Sequence, residues 1–181
     1  MSKLIMWNLV TLDGYFEGEK NWDLSFHELV WGPELERRSL EQLNSAEALV
    51  FGRTTYEGMA AYWKSAKGEI ADLMNKLPKI VCSTTLHSAD WNNTTLINKN
   101  AAGELAALKA KAIKDLYVFG SANLSETLIR ENVIDEYRIC IAPVIAGKGR
   151  YLFASGLPER KLTLVSTQPL INGGIVVTYK A

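Results

Sequence analysis

The sequence predicts an α/β fold: a central, mostly parallel mixed sheet with helices on both faces, finished by an antiparallel C-terminal hairpin. Three observations lead there. Short apolar runs rich in β-favouring residues alternate with helical patterns, and most of these runs are continuously apolar, as in strands buried on both faces. Several runs end at a glycine or at small hydroxyl residues that lead into the next segment. After Asn132 the helical patterns stop, and Asn172-Gly173 joins two strand-like runs, a strong hairpin signal.

In chain order, strands are expected at Leu4–Val10 (LIMWNLV), Ala48–Gly52 (ALVFG), Lys79–Thr84 (KIVCST), Thr94–Ile97 (TTLI) and Asp115–Gly120 (DLYVFG). Helices are expected near Pro33–Asn44, Thr55–Trp63, Glu69–Lys76 and Ala101–Ile113. The last is the clearest: Ala101, Leu105, Leu108 and Ala112 share a face, and Asn100 stands where a cap would. Leu124, Leu128 and Ile129 give the segment after Gly120 a similar stripe. VIDEYRICIAPVI, KLTLVSTQPL and GIVVTYKA read as the strands of an antiparallel C-terminal section. No repeat and no Pro/Gly/Ser-rich linker divides the chain, so residues 1–181 are expected to form a single domain.

Composition narrows the function. Twenty basic residues balance twenty acidic ones, which argues against a nucleic-acid partner. No apolar run approaches the ~18 residues of a membrane span, and the opening MSKLIMWNLV reads as a strand without a signal-peptide cleavage site. A cytoplasmic protein with no membrane partner is therefore expected. Cys82 and Cys140 sit inside apolar runs and read as buried free thiols. Two cysteines and two histidines at wide spacing give no metal-site pattern.

The chemistry concentrates at three strand ends. In LYVFGSANLSETLI, Gly120 closes a strand, and Ser121, Ala122, Asn123 and Leu124 would form the first turn of a helix. The amides of such a turn lack partners within the helix, and the helix dipole makes them a natural anion site. ALVFGRTTYEGM repeats the arrangement, with Arg53, Thr54 and Thr55 after Gly52. The Arg53 guanidinium is a planar fork suited to phosphate oxygens. A third end, IVCSTT, supplies Ser83 and Thr84. In a parallel sheet these ends share one edge, where ligands bind. Together they suit a ligand with more than one phosphate. Each also has a plainer role, as a helix cap or a solvated side chain.

These same residues carry a resemblance. FGRTTYE is similar to the glycine-arginine-x-threonine segment of dihydrofolate reductases, and VFGSANLSETL occupies the place of their glycine-rich cofactor loop. NLVTLDGYFEG and DEYRICIAPVIAGKGRYLF resemble more closely the reductase domain of the riboflavin-biosynthesis deaminase-reductases. The resemblance implies a dihydrofolate-reductase-like three-layer fold, an NADPH cofactor and a homodimer. It implies that Gly52, Arg53, Thr54 and Thr55 meet the adenosine phosphates. Ser83 and Thr84 would sit by the 2′-phosphate and adenine, and Gly120, Ser121, Ala122, Asn123 and Leu124 would hold the pyrophosphate. Ser121 stands where the folate enzymes have a second glycine, and the resemblance implies a cis or strained Gly120–Ser121 bond.

For the reacting end the resemblance points to Asn8, Leu9 and Val10 beside the nicotinamide, with TLDGYFEG as a lid. Asp13 is a turn former or a substrate-polarising group. Glu36, on the helix before the GRTT strand, stands nearest the carboxylate of the folate enzymes. Trp7, Tyr15, Phe16 and Trp22 are candidates to stack on a flat ring, and Lys148 and Arg150 are available for a substrate phosphate. The H-x-E and P-C-x-x-C zinc motif of the deaminases is missing from the sequence. The leading expectation is an NADPH-dependent reductase of a small unsaturated heterocycle or sugar-derived imine, such as the phosphoribosylamino-pyrimidine of the riboflavin pathway. The alternatives are a dihydrofolate reductase and a nucleotide-binding module without turnover.

Overall fold

The computed structural model describes residues 2–181. Its strands are β1 (Leu4–Thr11), β2 (Tyr15–Glu17), β3 (Ala46–Gly52), β4 (Lys79–Cys82), β5 (Thr94–Ile97), β6 (Asp115–Phe119), β7 (Glu136–Ala142), β8 (Arg150–Tyr151), β9 (Thr163–Pro169) and β10 (Ile175–Lys180). Its helices are α1 (Pro33–Ser45), α2 (Arg53–Trp63), α3 (Glu69–Lys76), α4 (Ala101–Lys111) and α5 (Ala122–Arg130), with a 3₁₀ turn at Ser25–Leu29. Eight strands form one sheet in the order β5-β4-β3-β6-β1-β7-β10-β9, and β2 pairs with β8 beside it.

Strand side chains alternate between the two faces, and this sorts the core. Leu4, Met6, Val10, Val50 and Val118 face Leu105 of α4 and Leu124 and Leu128 of α5. Their sequence neighbours Ile5, Leu49, Phe51 and Tyr117 face the other way, toward Leu43 of α1, Tyr56 and Ala60 of α2 and Met74 of α3. Trp7, Cys140 and Val176 extend that second face to Phe26, Val30 and Leu35. The result is three layers with α1–α3 on one side and α4–α5 on the other. β1, β3, β4, β5, β6 and β7 run parallel, so their carboxyl ends share one edge.

The structure departs from the sequence reading in local ways. β7 pairs parallel to β1, so antiparallel pairing begins only at β10 and continues to β9. The strand at Lys79 stops at Cys82, because Ser83 Oγ accepts the amides of Thr85 and Leu86 and turns the chain out of the sheet. α2 starts at Arg53, two residues before the expected Thr55, since Gly52 passes straight from extended backbone into the helix. Asn100 precedes α4 in the left-handed region without a side-chain cap bond. The buried stripe of α4 runs through Ala102 and Leu105, while Leu108 stays exposed. Cys82 and Cys140 are buried and unpaired, and burial pushes both thiols up to about 12.

Candidate functional site

At the shared carboxyl edge, the β3–α2 and β6–α5 turns are tied to each other. Ser121 Oγ accepts the Gly52 amide at 2.8 Å and donates to the Phe119 carbonyl at 2.9 Å. The Ser121 amide donates in turn to Thr55 Oγ1 at 3.0 Å. Gly120 and Ser121 both lie in the left-handed region, with φ of 55° and 60°. A Cβ at Gly120 would stand 3.1 Å from Thr55 Cγ2, so glycine serves both the conformation and the close approach. Of the expected cis or strained Gly120–Ser121 bond, the cis form is corrected, since the described residues contain no cis peptide bond, while Ser121 does hold a left-handed backbone that a non-glycine residue rarely adopts. The serine hydroxyl here bridges two strand ends, a job a second glycine could not do.

This edge opens into a cleft of about 1130 Å³. Asn8, Gly52, Arg53, Thr54, Thr55, Ser83, Thr84, Gly120, Ser121, Ala122, Asn123 and Leu124 all border it. The side-chain alternation of the sheet divides the cleft. On the α4/α5 side lie Asn8, Phe16, Ser121, Asn123, Lys99 and Arg150; Arg150 donates to Asn123 Oδ1 and lies over the Phe16 ring. Asn8 is 4% exposed, and its Nδ2 has no hydrogen-bond partner. On the α1–α3 side the walls are Trp7, Trp31, Leu35, Leu43, Met74 and Phe119.

Other expected residues are placed elsewhere. Val10 is buried in the core below the cleft. Asp13 accepts the Thr11 hydroxyl and the Ala146 and Gly147 amides, and these bonds hold its carboxyl down at about 2. It therefore pins one loop to another and does not border the cleft. Glu36 is exposed on the outer side of α1, away from the cleft lining. The carboxylates that do border the cleft are Glu17, Glu28 and Glu131. Lys148 pairs with Glu19 at 2.7 Å outside the cleft, and Tyr15 stacks on Tyr151. Arg53 pairs with Glu57 one turn along α2, and both are half exposed.

Two features escaped the sequence reading. Trp22 was a candidate stacking residue, but its docking partner was not visible. A Cβ on Gly58 would fall 1.9 Å from the Trp22 indole, so the ring packs directly against the bare backbone of α2. The Trp22 amide donates to Glu17 Oε1, which ties the Trp22 loop back to β2 at the border of the cleft. A glycine inside a helix, normally unfavourable by about 1 kcal/mol, was the available signal. The second is His27, which borders the cleft on the α1–α3 side, largely buried, with no ring hydrogen bond recorded. Burial pushes it down to about 4, so its imidazole is neutral at pH 7.

The family model of the RibD C-terminal domain matches residues 2–176. The chain belongs to the RibD C-terminal domain family. It is 29% identical over 182 residues to the uncharacterized protein YyaP of Bacillus subtilis (strain 168), covering 98% of this chain and 94% of the relative. A putative riboflavin biosynthesis protein from Shewanella sp. PV-4 superposes with a TM-score of 0.81 at 21% identity, covering 98% of each chain. A dihydrofolate reductase from Enterococcus faecalis, solved in complex with NADP(H), superposes at 0.63 with 16% identity, covering 98% of this chain and 95% of that one. The fold is thus the dihydrofolate-reductase-like three-layer α/β fold.

The RibD C-terminal fold here fits a dinucleotide on observations of its own. The amides of Ala122, Asn123 and Leu124 have no hydrogen-bond partner among the described residues, and all three residues border the cleft. Asn8 Nδ2 is an orphaned buried donor beside them on the same side of the sheet. Thr55 and Ser83 use their oxygens as acceptors within the turns, so toward a phosphate they offer only a hydroxyl proton. No helix among the described residues is long and apolar enough to cross a membrane.

Proposed function

We propose that the protein is an NADPH-dependent reductase of a small unsaturated heterocycle or sugar-derived imine. The observation that carries this reading is the pair of helix N-termini at α2 and α5, tied by Ser121 and facing a cleft whose other half is apolar. The unpaired amides after Gly120, with Arg150 beside them, would hold the pyrophosphate. Arg53, Ser83 and Thr84 would meet the 2′-phosphate end. Asn8 would donate to the nicotinamide carboxamide. When bound, NADPH supplies a hydride, which with one proton from the medium reduces a C=N or conjugated C=C bond. The chain's part is to orient the two rings and to exclude water, which Trp22 does by closing over α2.

A screen for NADPH oxidation against unsaturated heterocycles and imines tests the reading. Steady oxidation with one class supports it. Tight NADPH binding without turnover in any class would leave a binding module, and no NADPH binding would end the proposal. We also propose a homodimer formed through the β9 edge, where Leu164 and Val165 are exposed on the last strand of the sheet. Light scattering that shows a monomer at micromolar concentration would remove it.

A further inference from the structure

The basic residues that border the cleft are Arg53, Lys99 and Arg150. All three stand at the strand-end turns or on the α4/α5 side. Arg53, on the first turn of α2, stands at the mouth of the α1–α3 half; among the described residues, no other lysine or arginine borders that half. Its walls are Trp7, Trp31, Leu35 and Phe119, and its charged member is a carboxylate, Glu28. The basic residues nearest in sequence are otherwise engaged: Arg38 donates through two nitrogens to Gln168, and Arg37 pairs with Glu41. An anionic group in this half would lose its hydration without gaining a counter-charge, and it would face Glu28. Among the polar groups bordering this half is the His27 ring. A neutral imidazole presents one N–H donor and one acceptor nitrogen.

We infer that the α1–α3 half takes an uncharged, planar, largely apolar ring as hydride acceptor, fixed in the plane by a hydrogen bond to His27, and that it rejects phosphorylated or carboxylated acceptors. This rests on the reductase reading for the word acceptor, and it departs from the phosphoribosylated pyrimidine that the sequence resemblance implies. The ring would lie between the aromatic walls, with its carbonyl or imine edge toward the imidazole. Specificity then comes from the missing cation as much as from the contacts made.

Equilibrium dialysis of the whole protein with menadione, an uncharged flat dione, and with a naphthoquinone sulfonate tests it. Both titrations are run with saturating NADP⁺ and without nucleotide, so no turnover occurs. The expected result is at least tenfold tighter binding of menadione. His27→Phe, which keeps the ring's shape, should weaken menadione about tenfold and leave NADP⁺ affinity unchanged. Trp31→Arg, at a half-exposed wall position, should reverse the preference toward the sulfonate. Equal or tighter binding of the sulfonate by the unaltered protein, or no binding of either ring, overturns the inference. Failure of NADP⁺ to bind would instead overturn the reductase reading, while the nucleotide-free titration still decides the character of this half.

Discussion

On one side of the sheet edge the cleft is walled by Ser121, Asn123, Lys99 and Arg150; on the other by Trp7, Trp31, Leu35 and Met74. Both walls grow from the same strands. Trp7 and Asn8 are neighbours in β1, yet the pleat sends them to opposite halves. The polar half leaves donors unpaired, the first amides of α5 and Asn8 Nδ2, beside the Arg150 fork, which is held by Asn123 Oδ1. The apolar half presents His27, whose ring burial keeps neutral. One half offers polar donors and the other a mostly apolar wall. A ligand made of a polyphosphate joined to a flat ring would span both.

The comparison can be broken first at Gly120. Gly120→Val puts a β-branched residue at φ 55° and drives its Cβ into Thr55. NADPH affinity measured by calorimetry should fall by on the order of 100-fold or more, with only a modest drop in the thermal midpoint. An unchanged affinity would mean the α5 amides do not hold the phosphates.

The apolar half can be probed by pH. Burial lowers His27 from its ordinary 6.5 to about 4. Between those values the unfolded chain binds a proton that the folded one refuses. The stability from the neutral ring is therefore complete above pH 6.5 and is lost as pH falls toward 4. At about 1.4 kcal/mol per unit, the loss is up to ~3 kcal/mol. Urea unfolding at pH 7 and pH 4.5 should show that slope in the native protein and a shallower one in His27→Phe. Matching slopes would say that this half tolerates charge.

Arg53 sharpens the polar side. Its pairing with Glu57 is solvent-exposed and of a kind worth ~0–1 kcal/mol, so it can turn to a phosphate at little cost. Arg53→Ala should weaken NADPH by about 1–2 kcal/mol and NADH much less. Equal losses for the two nucleotides would take Arg53 away from the 2′-phosphate. The smallest effect belongs to Ser121→Ala, which removes the bridge between Gly52 and Phe119. Stability should fall by about 1 kcal/mol, and NADPH affinity should fall with it because the two turns lose their tie. A stability loss alone would make the bridge purely structural.

The sequence by itself determined the layers and the glycine turns at the strand ends. Continuous apolar runs such as LIMWNLV and ALVFG can be satisfied only between two helical layers, and a glycine at a strand end before a helix leaves amides free whatever the rest of the chain does. These are local consequences of backbone chemistry, so they are legible one segment at a time. The direction of β7 was not, because strand polarity relative to β1 depends on the crossover that precedes it. Nor were the jobs of Asp13 and Glu36: a carboxylate's role depends on what distant chain approaches it, and only the fold brought Ala146 and Gly147 to Asp13 and left Glu36 in solvent. His27 looked like an ordinary residue in SFHELV, and Gly58 like a flaw in a helix. Tertiary structure decided both, by burying one ring in an apolar wall and laying another, Trp22, across a backbone with no Cβ to hold it off.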